Sequence, residues 1–253
     1  MTTIEVGSHP TAQAAHLWLA DDVFACSTRD GVVFLDAKTN KYHGLDFANA
    51  QALAEVVAGW PMRSAQGAVR GIEESPGAAA VADGLESSGL LARRPPSHNY
   101  SCVSRLDRSQ NMVAIGFGTE YLYSVGPKDV GNFIAAYLKA QRQLRFASFD
   151  SVVRSVALRK SRRGRESAFD VQEAVRRVSI FRRIRRYVFS ASNRCLLHAL
   201  TLTHFLALYH LFPTWVIGVS TSPWEAHSWV EHERYSLDAT PERIHSYTPI
   251  LAV

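Results

Sequence analysis

The spacing of apolar and polar positions divides the chain into a strand-rich start, a helical middle and a mixed end. Near the N-terminus, Asp22 to Ser27, Val32 to Asp36 and Lys41 to Leu45 have strand character, with Arg29-Asp30-Gly31 and Lys38-Thr39-Asn40 as the turns between them. Helical signals follow. Asp46 can cap a helix from Phe47 to Ala58, a second fits the region of Met62 to Arg70, and Ser75-Pro76 opens a third, Gly77 to Ser87, which Gly89 ends. Val113 to Phe117 and Tyr121 to Val125 have weak strand character around Gly118-Thr119. From Asp129 the period becomes helical. Phe133, Ala136, Tyr137, Ala140 and Leu144 share one face, as do Val171, Ala174, Val175, Val178, Phe181, Ile184 and Val188. An apolar run from Leu196 to Phe212 stops at Pro213, and Thr214 to Val219, Ala226 to Glu231 and Tyr235 to Asp238 then read as strands.

This pattern predicts an α+β protein of two domains. Arg93-Arg94-Pro95-Pro96-Ser97-His98-Asn99 is polar and proline-bearing, as a domain boundary is. The expected division is a first domain over 1–95, a linker or irregular segment over 96–128, and a second domain over 129–253. Three strands followed by three helices is a winged-helix-like plan. With 253 residues the chain is long enough to bury a real core in each part.

Composition narrows the setting. The cysteines Cys26, Cys102 and Cys195 are odd in number and not at metal-like spacing, which fits a reducing, cytoplasmic compartment better than a disulfide framework. Met1 to Thr11 lacks the basic start and apolar core of a signal peptide. No apolar run is long enough for a membrane span, since Leu196 to Phe212 is interrupted by His198, His204 and His210.

The net charge of +5 raises the question of nucleic acid, which its distribution answers. Residues 1–95 carry seven Lys/Arg against eleven Asp/Glu, and Gly77 to Ser87, the helix that would enter a groove, has no Lys or Arg at all. Fifteen of the 28 basic residues fall between 139 and 186, against four acids. Arginines opposite an apolar stripe are most simply the solvated face of amphipathic helices. Arg162-Arg163-Gly164-Arg165 is the part of this band best placed to meet a polyanion.

The candidate chemistry lies between Ser190 and Val253. Ser192 and Asn193 are helix-capping residue types, so Cys195 falls in the first turn of the apolar helix, where free backbone donors and the helix dipole favour a thiolate. A hairpin loop centred on His232 and Glu233 would set His227 directly opposite Asp238 on the same face. Cys195, His227 and Asp238 then have the order of a nucleophile, a base and the acid that orients the base. Cys195 and His198 alone could ligate a metal, but a second pair at ligand spacing is lacking, so neither metal nor cofactor is expected.

At this point the sequence resembles a known family. Asn193-Arg194-Cys195-Leu196, Ile217-Gly218-Val219, Pro223 to Glu231 and Tyr247-Thr248-Pro249-Ile250-Leu251 are similar to the transglutaminase-like (papain-like) cysteine peptidase of lasso-peptide biosynthesis, the B protein. That family usually writes Asn-Asp near the acid position. This chain has Leu237-Asp238-Ala239, and Asp238 is the only carboxylate between Glu233 and Glu242. The N-terminal plan, with Lys41-Tyr42-His43-Gly44-Leu45 in its third strand and Ser88-Gly89-Leu90-Leu91 at its end, resembles the small domain that recognises leader peptides of ribosomally made, modified peptides.

The resemblance implies that a leader adds a strand to the third strand's edge, in a groove made by Tyr42 and Leu45 with Val81 and Leu85. It further implies a peptidase that removes the leader and frees the core amine for a separate ATP-dependent, asparagine-synthetase-like cyclase. The alternatives are a non-catalytic escort for the precursor, a transamidating thiol enzyme and a DNA-binding regulator.

Overall fold

The computed structural model describes residues 17–54, 56–62, 76–97, 112–163, 169–188 and 194–253. The N-terminal part is built around an antiparallel meander of β2 (Val23–Thr28), β3 (Gly31–Asp36) and β4 (Lys41–Asp46), in that order across the sheet. Its turns are those the sequence marks. Gly31 takes φ +138°, and a Cβ there would stand 2.0 Å from the Leu45 carbonyl oxygen, so only glycine lets β4 close against the turn. Asn40 supplies the positive φ, 54°, of the second turn.

Asp46 caps α1 (Phe47–Ala52) as its side chain predicts, accepting from the Asn49 N–H at 3.1 Å. The helix is shorter than the apolar spacing implies, because residues 57 and 58 leave it to form β5 (Val57–Ala58) beside β1 (Leu17–Leu19). β6 (Leu91–Ala92) completes this second, three-stranded sheet from the other side of β1. Between them lies α2 (Pro76–Ser87), ended by Gly89 at φ 74°. Most of the expected helix at 62–70 lies outside the described residues.

The C-terminal part is a five-stranded sheet in the order β11-β8-β9-β10-β7, with helices packed on it. Its strands are β7 (Val113–Ala114), β8 (Thr214–Thr221), β9 (Trp224–His232), β10 (Tyr235–Ser236) and β11 (Thr248–Ala252). The helices are α3 (Pro127–Phe146), α4 (Phe149–Arg163), α5 (Val171–Arg185), α6 (Cys195–Ala207) and the short α7 (Pro241–His245). Tyr121 to Val125 is turn and irregular chain rather than strand.

Strand alternation separates two cores across this sheet. Trp215, Ile217, Val219 and Val230 face the helices, whereas Val216 and Trp229, paired across β8 and β9, face a smaller cluster with Ile244 and Tyr247. Helix α6 is buried from His198 to Leu206 and fills the larger core. Its polar side chains are bonded at home. Thr201 and Thr203 donate to the carbonyls of Leu197 and Ala199, at 2.6 and 2.8 Å. His204 accepts from Arg159 on Nδ1 at 2.8 Å, which leaves its Nε2 proton for Gln143 Oε1 at 2.6 Å. Burial, with Arg159 and Lys139 nearby, holds this imidazole neutral, its pKa pushed down to about 2.

The two parts share one core. Phe24, Cys26, Val33 and Leu35 of the meander join the cluster that holds Phe133, Phe181 and Phe205. At the border the buried Asp22 accepts a hydrogen bond from Arg154 of α4 and pairs with Lys38 at 3.2 Å. We expect Asp22→Ala to lower stability by about 2 kcal/mol, below the ~3–5 kcal/mol of a fully buried pair because Arg154 keeps partial contact with water. Urea unfolding checks this, with a lower midpoint and unchanged slope as the expected result.

Candidate active site

Cys195 is the first residue of α6 and a free, half-buried thiol. The cap position belongs to Arg194, at φ −139° and ψ 41°, which makes no side-chain capping bond; Ser192 and Asn193 lie outside the described residues. The first amides of a helix have no acceptor within it, so the thiol stands at a donor-rich end.

His227 sits on β9 directly across from Gly218 of β8. A Cβ at 218 would come within 2.6 Å of the Trp229 ring and 3.0 Å of Tyr247 Cβ. Glycine at this position therefore lets both rings close around the histidine. Ring centroids lie 5.1 Å away for Tyr247 and 6.1 Å for Trp229. Burial, reinforced by the Arg243 guanidinium, lowers the His227 pKa to about 4, so the imidazole is neutral at physiological pH and able to accept a proton.

Asp238 follows β10, in a register two residues away from the one expected. Tyr235 pairs with His232 and Ser236 with Glu231, and the Leu237 N–H donates to the Val230 carbonyl at 2.9 Å. The hairpin turn is therefore Glu233-Arg234 rather than one centred on His232 and Glu233, and Glu233 adopts φ 49° to make it. A two-residue displacement keeps the face and changes the partner. Asp238 falls level with Trp229 instead of His227. Its Oδ1 accepts from the Val230 N–H at 2.8 Å, and its Oδ2 lies 3.7 Å from Nδ1 of His198. Burial raises the carboxyl pKa to about 7 against the opposing pull of the Val230 N–H and Arg182.

Cys195, His227 and Asp238 nevertheless line one cavity of about 320 Å³, together with His198 and the arginines Arg182, Arg185 and Arg243. Ser228 lines it too. Neighbouring residues of a strand point to opposite faces, so a cavity reached by both His227 and Ser228 lies at the strand's edge. β10 ends at Ser236, so among the described residues no strand pairs with that stretch of β9 on this side, and the cavity opens there. Among the described residues no group of three or more His, Cys, Asp or Glu side chains is placed to hold a metal ion.

The expected leader-binding residues separate into two places. Leu45 of β4 packs with Val81 and Leu85 of α2 around Leu17, Leu53 and Leu91. Tyr42, three positions from Leu45, faces the other side of the strand and meets the Trp224 ring of β9 at 5.6 Å between centroids. It lies close enough to Cys195 for the two groups to interact electrostatically. Burial first, then the thiol charge, pushes the Tyr42 pKa up to about 12.

The basic band proves mixed. Arg177 bonds Asp129 and Glu173, Lys160 donates to Thr214, and Arg182 donates to the Leu237 carbonyl while lying 3.3 Å over the Phe117 ring. Arg162 is exposed, whereas Gly164 and Arg165 lie outside the described residues. In the sequence His198 stands out as a metal-spacing partner of Cys195, and Arg182 and Arg185 as members of the basic band. The usable signal was position. His198 is one turn from Cys195, and Arg182 and Arg185 flank Ile184 on a helix whose apolar face is buried.

Residues 135–252 match the family model of the transglutaminase-like superfamily, a fold of the cysteine peptidase or transamidase type. All three candidate catalytic residues fall inside that stretch. No curated protein and no solved structure matches the chain. Among the described residues no helix is long and apolar enough to cross a membrane.

The raised pKa of Asp238 gives a signed expectation for stability. Between about pH 4 and pH 7 the unfolded chain gives up this proton while the folded protein keeps it. The contribution is therefore complete below the ordinary carboxylate range and is lost as pH rises through about 7. Wild type should lose stability relative to Asp238→Asn over that window, read from urea unfolding of both proteins at several pH values; parallel curves would show an ordinary carboxylate.

Proposed function

We propose that the protein is a cysteine peptidase that binds and removes the leader of a ribosomally made lasso-peptide precursor. The observation that carries this reading is the placement of a helix-leading cysteine, a neutral histidine and a buried aspartate on one cavity within a transglutaminase-like domain. In the proposed cycle His227 takes the thiol proton and the Cys195 sulfur attacks the scissile carbonyl. The oxyanion accepts a hydrogen bond from the Cys195 N–H. The C–N bond then breaks, His227 returns its proton to the leaving core amine, and a thioester to the leader remains. Water, deprotonated by His227, hydrolyses the thioester and releases the leader as a carboxylate. Asp238 is assigned a supporting role, acting on the base through the Val230 N–H of the same strand and through His198 rather than by bonding His227 directly.

Two features support leader binding by the N-terminal part. β4 is an edge strand of its sheet and offers backbone donors and acceptors to an added strand. It also reaches the catalytic sheet through the contact between Tyr42 and Trp224. A peptide held along β4 would have its scissile bond at high local concentration near Cys195. The freed amine would then pass to an asparagine-synthetase-like, ATP-dependent cyclase acting as partner, in the cytoplasm. The superfamily match equally supports a second reading, in which an amine rather than water resolves the thioester and the product is an amide.

Mass spectrometry of a cognate precursor incubated without cyclase tests the proposal. Wild type should yield free leader and core, and Cys195→Ala and His227→Ala should each lower the rate by at least about a thousandfold. An amide-linked product selects transamidation. An intact precursor with both wild type and Cys195→Ala, with cyclase and ATP present as well, leaves the escort reading.

A further inference from the structure

The cavity beside Cys195 is cationic well beyond what its own residues neutralise. Arg182, Arg185 and Arg243 line it, with Asp238 as the only carboxylate among the described residues of its wall. Asp238 does not pair with them. Its oxygens are taken up by the Val230 N–H and the neighbourhood of His198, and no ion pair within 4 Å joins it to Arg182 or Arg185 among the described residues.

The arginines differ in what holds them. Arg182 is committed to the Leu237 carbonyl and the Phe117 ring, and Arg243 reaches Glu225 at 3.9 Å. Arg185, in the last turn of α5, has no such anchor. Its Nε is buried without a hydrogen-bond partner among the described residues. Burial lowers its pKa, against the pull of Asp238. A buried guanidinium N–H left without an acceptor among the described residues is costly, and the fork geometry of the group suits a carboxylate.

We infer that Arg185, aided by Arg182 and Arg243, binds an acidic side chain of the peptide substrate, an Asp or Glu next to the scissile bond. This rests on the peptidase reading for its substrate and on the cavity alone for its chemistry. It makes Arg185 a specificity residue, which neither the family match nor the catalytic order assigns.

Alkylation of Cys195 reads the cavity's charge without requiring cleavage. Iodoacetate and iodoacetamide each form an S–CH2 bond as iodide leaves, and they differ in carrying a carboxylate or a neutral amide. Peptide-level mass spectrometry gives the two rates at Cys195, and their ratio is compared with that for glutathione in the same buffer. We expect a ratio favouring iodoacetate by about tenfold or more over glutathione, the size of one well-placed charge interaction of ~1.4 kcal/mol. Arg185→Gln should lose most of that preference and Arg185→Lys should keep it. The iodoacetamide rate reports in the same sample that the thiol is still accessible.

A wild-type ratio equal to that of glutathione, or one unmoved by Arg185→Gln, overturns the inference. The source of the carboxylate is tested by protection. N-acetylaspartate N-methylamide, which has only a side-chain carboxylate, should slow iodoacetamide more than N-acetylglycine, which has only a chain-end one; the reverse order overturns the side-chain assignment. A protein that prefers iodoacetate yet leaves its precursor whole loses the peptidase reading alone, and one that cuts normally without the preference loses only the carboxylate site.

Discussion

Helix α6 has no face to turn toward water from His198 to Leu206, and the rest of the C-terminal part follows from enclosing it. α3 and α5 cover it on one side and β8 and β9 on the other, and the meander adds a further wall. Its N-terminus is the exception. Cys195 to Leu197 are only half-buried, because the enclosing elements end there. The same burial that fixes the helix in place thus leaves its donor-rich end and the thiol at the rim of a cavity. A thiol carried by so deeply buried a helix is held still.

Local signals in the sequence were legible because the physics behind them is local. The meander strands, the Asp46 cap, the Gly89 stop and the strands after Pro213 each depend on a few neighbouring residues, and each is found within a residue or two of its expected place. α1 shows where this ends. Its apolar period continues to residue 58, but Val57 and Ala58 gain more by pairing with β1, a tertiary preference invisible in the spacing.

The candidate site was half legible for a related reason. Cys195 and His227 are marked by what stands next to them, a helix start and a glycine-backed strand. The partner of Asp238 depends on one turn residue, Glu233, accepting a left-handed conformation that glycine or asparagine would normally signal. The arginines were the least legible. A helical period tells which face is apolar, but the same pattern fits Arg176, which points to solvent, and Arg185, which borders the cavity. Only the packing of α5 separates them.

The contact of Tyr42 with Trp224 joins the open edge of β4 to the first residue of β9, a short run of strand before His227. Tyr42 is half-buried against the main core, which also takes in Val230 of β9. A peptide paired along β4 would therefore meet the thiol at a span set by the fold rather than by a flexible tether. Such a device counts residues. It would select the bond to be cut by its distance from the recognised segment, so that lengthening or shortening the intervening peptide by one residue changes which carbonyl arrives at the sulfur.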